Sequence, residues 1–175
     1  MRTRKARLPD AGRIHQIISG FAERGVLLPR SFAEICENVR DFTIVEADGH
    51  VVGCGALHLY GSHLTEVRSI AVDPAFQGSG AGRLLVRALL NEAARHGVTC
   101  VCLFTRIPGF FARFGFTVAT REELPDKIYK DCQHCPKLHC CDEIAMVRGT
   151  LPTFAILDPQ VICRPLVTLQ PAILR

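Results

Sequence analysis

The first part of the chain spaces its apolar residues as two helices. A short strand over residues 3–7 comes first, and Asp10 can then cap a helix that runs to Gly20. The apolar positions of this helix recur three and four residues apart: Ile14, Ile17, Ile18 and Phe21. Ser31 and Glu34 have the spacing of a capping box, which predicts a second helix whose apolar positions are Phe32, Ile35, Cys36 and Val39.

A β-hairpin is predicted next. Residues 42–47 and 51–58 are strand-like and apolar, and they flank an Asp-Gly pair at 48–49 that favours a tight turn. A further strand over residues 66–72 leads into a glycine-rich segment. The helix after that segment is stopped by Gly97, and its apolar face consists of Leu84, Leu85, Ala88, Leu89 and Ala93.

The remaining elements complete a mixed pattern. Residues 100–105 are predicted as a buried strand, Pro108 starts a short helix that Gly115 ends, and residues 116–118 and 144–147 are further strands. Helices therefore come before an antiparallel run of strands, and helices and strands alternate afterwards. This order indicates an α/β or α+β fold with a sheet of mixed direction.

Composition narrows the class of protein. A chain of 175 residues is long enough for one domain, which we assign to residues 1–149. Residues 150–175 contain four prolines and little charge, so we expect a C-terminal extension that adds an edge strand or an interface segment. No run approaches the roughly 18 apolar residues of a membrane span, and no apolar signal segment follows the basic start. We therefore expect a cytoplasmic protein without membrane contact.

The charge distribution and the cysteines restrict the binding partners and the cysteine chemistry that we expect. The formal net charge is +4, but basic and acidic residues are interleaved, so nucleic acid is not an expected partner. Nine cysteines in a chain without a signal segment favour free thiols or a metal site over disulfides. We expect the partner to be a small molecule.

The glycine-rich segment is the strongest chemical signal. Glycines at 78, 80 and 82 allow a tight turn and let backbone amides approach an anion at the start of a helix. A P-loop is excluded because Gly82 is followed by Arg83 and Leu84 rather than by Lys and Ser or Thr. A dinucleotide-binding fingerprint fits poorly, because residues 73–77 separate the strand from the first glycine.

The whole segment resembles the acetyl-CoA motif of the GNAT acetyltransferases. Val-Asp-Pro follows the strand, and Gln77, Gly80 and Gly82 have the spacing Gln-x-x-Gly-x-Gly. Residues 108–116 resemble the short helix and Gly-Phe pair that lie beneath the CoA arm in that family, which makes Phe111 a cofactor-binding candidate. The resemblance implies the GNAT fold, a mixed and mostly antiparallel central sheet flanked by helices, with acetyl-CoA as the acetyl donor. It further implies that backbone groups of Ile70, Ala71 and Val72 contact the pantetheine, and that the pyrophosphate is held by amides of Gln77, Gly78, Ser79, Gly80, Ala81, Gly82 and Arg83.

Direct acetyl transfer needs a neutral amine, so a general base is required at neutral pH. Glu66, at the start of the strand that leads to the motif, is the candidate; the alternative is a solvated carboxylate at a strand end. In this family a tyrosine commonly protonates the departing thiolate, but the position in the short helix holds Phe111. Tyr129 is the substitute candidate.

The chain further resembles a subgroup, the short stand-alone N-acetylglutamate synthases of arginine biosynthesis. The matching segments are residues 27–31, 52–57, 66–72 and 124–127, with the later Cys-Pro-Lys segment at 135–137. Because glutamate has two carboxylates, its site should contain converging cations, for which Arg30 and Arg68 are the first candidates and Lys127 the third. Each arginine could equally be a surface charge with a local partner.

Other functions stay open at this point. The acceptor could be another amino acid, a polyamine or a protein N-terminus, and a homodimer is one assembly to consider. The missing tyrosine and the cysteines also suit a module that senses acyl-CoA or metal without turnover.

Four cysteines and two histidines are concentrated between residues 132 and 141. Zinc accepts four such ligands, so a zinc site is predicted at Cys132, Cys135, Cys140 and Cys141. The alternative is a thiol or disulfide pair near the acceptor pocket, with redox sensitivity. The remaining cysteines in apolar patterns are expected in the core: Cys36, Cys54, Cys100 and Cys102.

Overall fold

One seven-stranded sheet organises residues 1–151, the part of the chain that the computed structural model describes. The strands are β1 (Arg2–Lys5), β2 (Phe42–Ala47), β3 (His50–Leu59), β4 (Thr65–Val72), β5 (Cys100–Thr105), β6 (Thr117–Val118) and β7 (Ile144–Gly149). The helices are α1 (Ala11–Ala22), α2 (Phe32–Glu37), α3 (Ala81–Arg95), α4 (Pro108–Ala112) and α5 (Pro125–Lys130). In the sheet the strands follow the order β1-β2-β3-β4-β5-β7-β6, and every pair is antiparallel except β4 with β5. This confirms the predicted mixed, mostly antiparallel sheet.

Several local predictions hold in detail. Ser31 Oγ accepts from the Glu34 amide at 3.2 Å, and the Glu34 carboxylate accepts from the Ser31 amide at 2.7 Å, so the capping box starts α2 as expected. The predicted hairpin forms between β2 and β3, with Asp48 and Gly49 in left-handed backbone conformations. Short-range hydrogen bonds and turn preferences are sufficient to specify both features.

The role predicted for Asp10 is wrong. Its carboxylate does not cap α1; it accepts from the Arg7 amide at 2.7 Å and from the Arg4 guanidinium at 2.8 and 3.0 Å. Asp10 therefore ties the preceding turn to β1, because a bidentate arginine in reach offers stronger, charged hydrogen bonds than a helix amide. The helix also continues past Gly20 to Ala22. Helix α5 was not predicted.

Alternating strand residues supply two cores, one on each face of the sheet. Ile44 and Cys54 pack with α1 and α2, whereas Val45 and Val52 pack with the start of α3. Leu124, which precedes α5, packs with Cys100 and Cys102 of β5. The predicted core cysteines Cys54, Cys100 and Cys102 are buried, and Cys36 is half-buried.

Strands β4 and β5 separate early. They pair only at Thr65 with Val101 and at Glu66 with Cys102, after which β4 continues to Val72 alone on that side. A bulge in β4 accompanies the separation, with Ser69 at a positive φ of 54°. Gly55 of β3 lies opposite the bulge, where a Cβ would come within 3.1 Å of both Ile70 and Leu89 side chains. The two parallel strands therefore diverge beyond Glu66 and Cys102, and the gap between them forms a wedge.

The domain prediction for residues 1–149 covers nearly all of the described chain. The extension predicted over residues 150–175 lies outside the described residues beyond Leu151. No helix among residues 1–151 has the length and apolar character needed to cross a membrane.

Candidate active site

The glycine-rich segment forms an open cradle at the end of β4. Gly78 and Gly80 adopt positive φ values of 78° and 93°, conformations that few other residues accept, and α3 begins at Ala81. The first amides of a helix have no acceptor within it and carry the positive end of the helix dipole. The cradle therefore presents N–H groups to an anion in the manner expected of a pyrophosphate site.

Two phenylalanines of α4 have different surroundings. A Cβ on Gly82 would lie 3.5 Å from the Phe110 ring, so Phe110 is the aromatic residue next to the cradle. Phe111, the predicted cofactor contact, is only 6% exposed and stacks edge-on against Phe116 within the core. Its side chain carries no proton that could reach a thiolate.

A basic cavity of about 610 Å³ adjoins the cradle between α3 and α4. Four exposed arginines line it: Arg83, Arg87, Arg113 and Arg148. Leu90, Phe110 and Phe114 supply apolar and aromatic surface. Such a combination suits a phosphorylated nucleotide, because guanidinium groups bind phosphate and an aromatic ring can stack on a base. Only the spacing of Arg83 and Arg87 on one helical face signalled this cavity in the sequence.

On the opposite face of the sheet, Glu66 lies in a network of charged groups. Its side chain is 4% exposed, and its carboxylate oxygens lie 3.0 and 3.1 Å from Lys127 Nζ. The same ammonium lies 3.0 Å from Asp131 Oδ2. The guanidinium of Arg68 completes the group at 3.5 Å from Asp131 and 3.9 Å from Glu66. Glu66 is thus a buried, paired carboxylate rather than a solvated one.

Tyr60 was missed by the sequence analysis and bridges the two acids. Its hydroxyl lies 3.0 Å from Glu66 Oε2 and 2.7 Å from Asp131 Oδ2. Tyr129, the predicted catalytic tyrosine, is 71% exposed, and its hydroxyl contacts none of these groups within residues 1–151. Tyr60 precedes β4 by a short turn, and no local pattern marked its bridging role, because that role depends on Asp131, 71 positions away.

The three predicted acceptor-binding cations lie on this face. Arg68 and Lys127 are in direct contact with the acidic groups, as described above. Arg30 lies 3.7 Å from Glu34, and both Arg30 and Arg68 help to lower the pKa of Glu34, after the larger effect of the Ser31 amide hydrogen bond. The fold therefore brings cations from the α1–α2 loop, β4 and α5 to one side of the sheet.

Burial and charge act against each other in the network. Burial would lower the pKa of Lys127, but the charges of Glu66 and Asp131 outweigh it and raise that pKa. Burial would likewise raise the pKa of Asp131, yet the Tyr60 hydrogen bond and the Lys127 charge leave it lowered. Burial, followed by the charge of Glu66, raises the pKa of Tyr60. At neutral pH the network therefore holds a charged lysine, an ionised Asp131 and a neutral phenol.

The cysteine-rich segment forms two consecutive 3-10 turns, Cys132–His134 and Leu138–Cys140. Cys132, Cys135, Cys140 and Cys141 are free thiols. Within residues 1–151 no group of three or more His, Cys, Asp or Glu side chains is positioned to hold a metal ion. The arrangement of these turns therefore does not fit the zinc site predicted from the spacing.

Comparison with known proteins agrees with this geometry. Residues 38–118 match the model of the acetyltransferase (GNAT) domain. The chain is 43% identical over 145 residues to an uncharacterized N-acetyltransferase of Chlorobaculum tepidum, covering 83% of this chain and 94% of that protein. It is 40% identical over 117 residues to the amino-acid acetyltransferase of Mycobacterium tuberculosis, covering 65% and 67% respectively.

A solved structure shows the same fold with ligands. N-acetylglutamate synthase from Neisseria gonorrhoeae, complexed with coenzyme A and N-acetyl-glutamate, aligns with a TM-score of 0.76 at 28% identity. The alignment covers 86% of this chain but only 35% of that enzyme, so the chain spans about a third of its length. Together with the cradle and the wedge, these matches identify an acyltransferase that uses acetyl-CoA. The chain belongs to the GNAT family of acetyltransferases.

Proposed function

We propose that this enzyme transfers the acetyl group of acetyl-CoA to the α-amino group of L-glutamate. The observation that carries the proposal is the placement of Arg68 and Lys127 around the buried carboxylate of Glu66, with Arg30 beside Glu34 on the same face of the sheet. The relatives named amino-acid acetyltransferase and the N-acetylglutamate synthase fold support the same acceptor.

The donor would lie across the wedge and the cradle. The pantetheine would run along β4, where Ile70, Ala71 and Val72 have no partner strand on the β5 side. The pyrophosphate would meet the amides of residues 77–83, including Arg83, and the nucleotide end would enter the arginine-lined cavity. This path puts the thioester near Glu66, where β4 and β5 part.

The acceptor would bind through its two carboxylates. Arg68 would take one of them through its Nη1 side, whose contacts with Asp131 and Glu66 are long, at 3.5 and 3.9 Å, while its Nη2 lies 3.0 Å from His58 Nδ1. Arg30 is bound only loosely to Glu34, at 3.7 Å, and would take the other carboxylate. Lys127 is already neutralised by two acids, so its role would be to fix Glu66 rather than to select the substrate.

The chemistry is direct attack. Glu66 would take a proton from the α-ammonium, and the free amine would attack the thioester carbonyl. The new N–C bond forms, the C–S bond breaks, and the surplus proton of the amine nitrogen passes to the departing sulfur, so that CoA leaves as the thiol. Backbone amides beside the β4 bulge would be available to the carbonyl oxygen as its charge develops.

An acceptor panel tests the proposal. We expect acetyl-CoA consumption that depends on L-glutamate and is much slower with L-glutamine, L-aspartate, a polyamine or a short peptide. Arg68→Ala should raise KM for glutamate and leave KM for acetyl-CoA unchanged. The control is Arg24→Ala, at an exposed arginine that stacks on Phe21. Turnover with another amine but not with glutamate would refute the assignment of the acceptor.

The proposed product assigns the enzyme to the first step of arginine biosynthesis in the cytoplasm. Complementation of a strain that cannot make N-acetylglutamate, grown without arginine, tests this assignment. The assembly as a homodimer stays a prediction, which sedimentation of the purified protein tests.

A further inference from the structure

A buried general base must release the proton it takes before it can act again. Glu66 has a side-chain exposure of 4%, so the proton has no direct route to water in this structure. The side chain of Asp131 is 30% exposed. The hydroxyl of Tyr60, a group that can both accept and donate a proton, contacts both carboxylates, at 3.0 and 2.7 Å. The three groups thus form a continuous chain of hydrogen bonds from the interior to the surface.

We propose that Tyr60 and Asp131 carry the proton from Glu66 to solvent. The inference rests on the proposed role of Glu66 as general base. The substrate ammonium gives its proton to Glu66, which becomes a neutral acid. Glu66 then passes a proton to the Tyr60 oxygen as the hydroxyl proton moves to Asp131 Oδ2, and Asp131 releases it to water. The two carboxylates and the phenol return to their starting states, and one proton has left the site.

Among residues 1–151, Tyr60 is the neighbour of Glu66 placed to pass a proton on. The titratable and charged groups around Glu66 are Tyr60, Arg68, Cys102, Lys127, Asp131, Cys132 and Glu143, together with His58, its partner on β3. His58 Nδ1 lies 3.0 Å from Arg68 Nη2 and 3.3 Å from Asp41 Oδ2, and within the described residues no hydrogen bond joins His58, Cys132 or Glu143 to Glu66. Lys127 and Arg68 are already protonated and so cannot accept a proton. The Cys102 thiol is buried, and burial raises its pKa. Tyr60 is the neighbour with a hydroxyl in contact with both carboxylates.

The charges in the network favour release of the proton to water over its retention on Asp131. The Tyr60 hydrogen bond and then the Lys127 charge lower the pKa of Asp131 against the effect of burial, so Asp131 does not hold the proton for the next cycle. The Tyr60 hydroxyl stays protonated, so it acts as a bridge and not as a separate base. A path that ends in a partly exposed, readily ionised carboxylate therefore resets Glu66 after each turnover.

Tyr60→Phe removes only the hydroxyl and keeps the ring, which packs edge-on against His58 at 5.0 Å. With glutamate in dilute buffer we expect kcat to fall on the order of 100-fold, the low end of what a positioned proton transfer contributes. KM for both substrates should stay the same. Raising the concentration of imidazole buffer should restore a large part of kcat in the variant and leave the parent enzyme unchanged.

A second variant and an isotope measurement separate proton release from simple positioning. Asp131→Asn should lose the same fraction of kcat, whereas Asp126→Asn should not; Asp126 lies in α5, the helix that Asp131 follows, and pairs with His63 at 2.9 Å. In mixtures of light and heavy water the parent enzyme should give a curved dependence of kcat, and Tyr60→Phe a linear one.

Unchanged kcat in both variants, or a loss that no buffer concentration restores and that leaves the isotope dependence unaltered, would overturn the proposal. If the parent enzyme acetylates an amine other than glutamate, the same comparison is made with that amine. Failure of the glutamate assignment is thus distinguished from failure of the proton path.

Discussion

Lys127 Nζ lies 3.0 Å from Glu66 Oε1, although the two residues are 61 positions apart in the chain. The pair joins α5, a helix of six residues, to the strand at which the sheet opens. Because Lys127 also contacts Asp131, one ammonium neutralises two acids. The position of the proposed base thus depends on a segment outside the region matched by the GNAT domain model.

Replacement of Lys127 should destabilise the protein. Lys127→Met leaves the buried Glu66 carboxylate without its closest counter-charge, and we expect a loss of about 3 kcal/mol in the free energy of unfolding. Urea denaturation at neutral pH measures it. Lys130→Met, at an exposed position of the same helix, is the control and should cost much less. Equal losses in the two variants would contradict a structural role for the Lys127 contacts.

Loss of the Glu66 carboxylate should abolish base catalysis while preserving the fold. Glu66→Gln keeps the size of the side chain, and we expect kcat to fall by at least about 100-fold at neutral pH. The deficit should shrink as pH rises, because a larger fraction of the free amine is then present without a base. Rate measurements across pH test this, with Glu46→Gln on β2 as the control. A pH-independent deficit would argue against the assignment as general base.

The cradle should be sensitive to a methyl group at one glycine. Gly80 has φ 93° with open space around its Cβ position, so Gly80→Ala strains the backbone without a clash. We expect a higher KM for acetyl-CoA and a modest loss of stability, on the order of 1 kcal/mol. Gly12→Ala in α1 also enters open space but at an ordinary helical φ, and should stabilise by a few tenths to about 1 kcal/mol. In thermal unfolding we therefore expect Gly80→Ala to lower the melting temperature and Gly12→Ala to raise it.

The arginine-lined cavity should recognise the phosphorylated end of the donor. Arg87→Ala should raise KM for acetyl-CoA, and the effect should weaken with added salt. If the cavity holds the 3′-phosphate, the same variant should show little change with 3′-dephospho-acetyl-CoA. Arg95→Ala, exposed on the same helix but outside the cavity, is the control. An equal increase in KM with both donors would show that the 3′-phosphate binds outside the cavity.

Protonation of Asp10 in acid should lower the free energy of unfolding. The hydrogen bonds of Arg4 lower the pKa of the Asp10 carboxyl more than burial raises it, and the Arg7 amide adds to the lowering. A carboxyl whose folded pKa is lowered stabilises the fold above its unfolded pKa, and this stability is lost as pH falls through the folded value. Asp10→Asn should therefore reduce stability at neutral pH and flatten its decline below about pH 4. Urea denaturation over pH, with the exposed turn variant Asp48→Asn as control, measures both effects.

Local chemistry made several features readable from the sequence. The Ser31–Glu34 capping box, the Asp-Gly hairpin and the glycine cradle each depend on hydrogen bonds or backbone preferences within a few residues. The strand, the cradle and α3 are contiguous, so their order alone carried the resemblance to GNAT proteins. For the same reason the fold class and the acetyl donor could be predicted without coordinates.

The rest was decided by contacts between distant segments. Asp10 meets a bidentate Arg4 in place of a helix end, and Tyr60, not the exposed Tyr129, meets Glu66 and Asp131. Such pairings depend on which faces the sheet brings together, and sequence spacing does not encode that geometry. The sequence determined the donor chemistry because its motif is local; the tertiary structure alone decided the surroundings of Glu66, because those groups are assembled from β3, β4, α5 and the turns beside them.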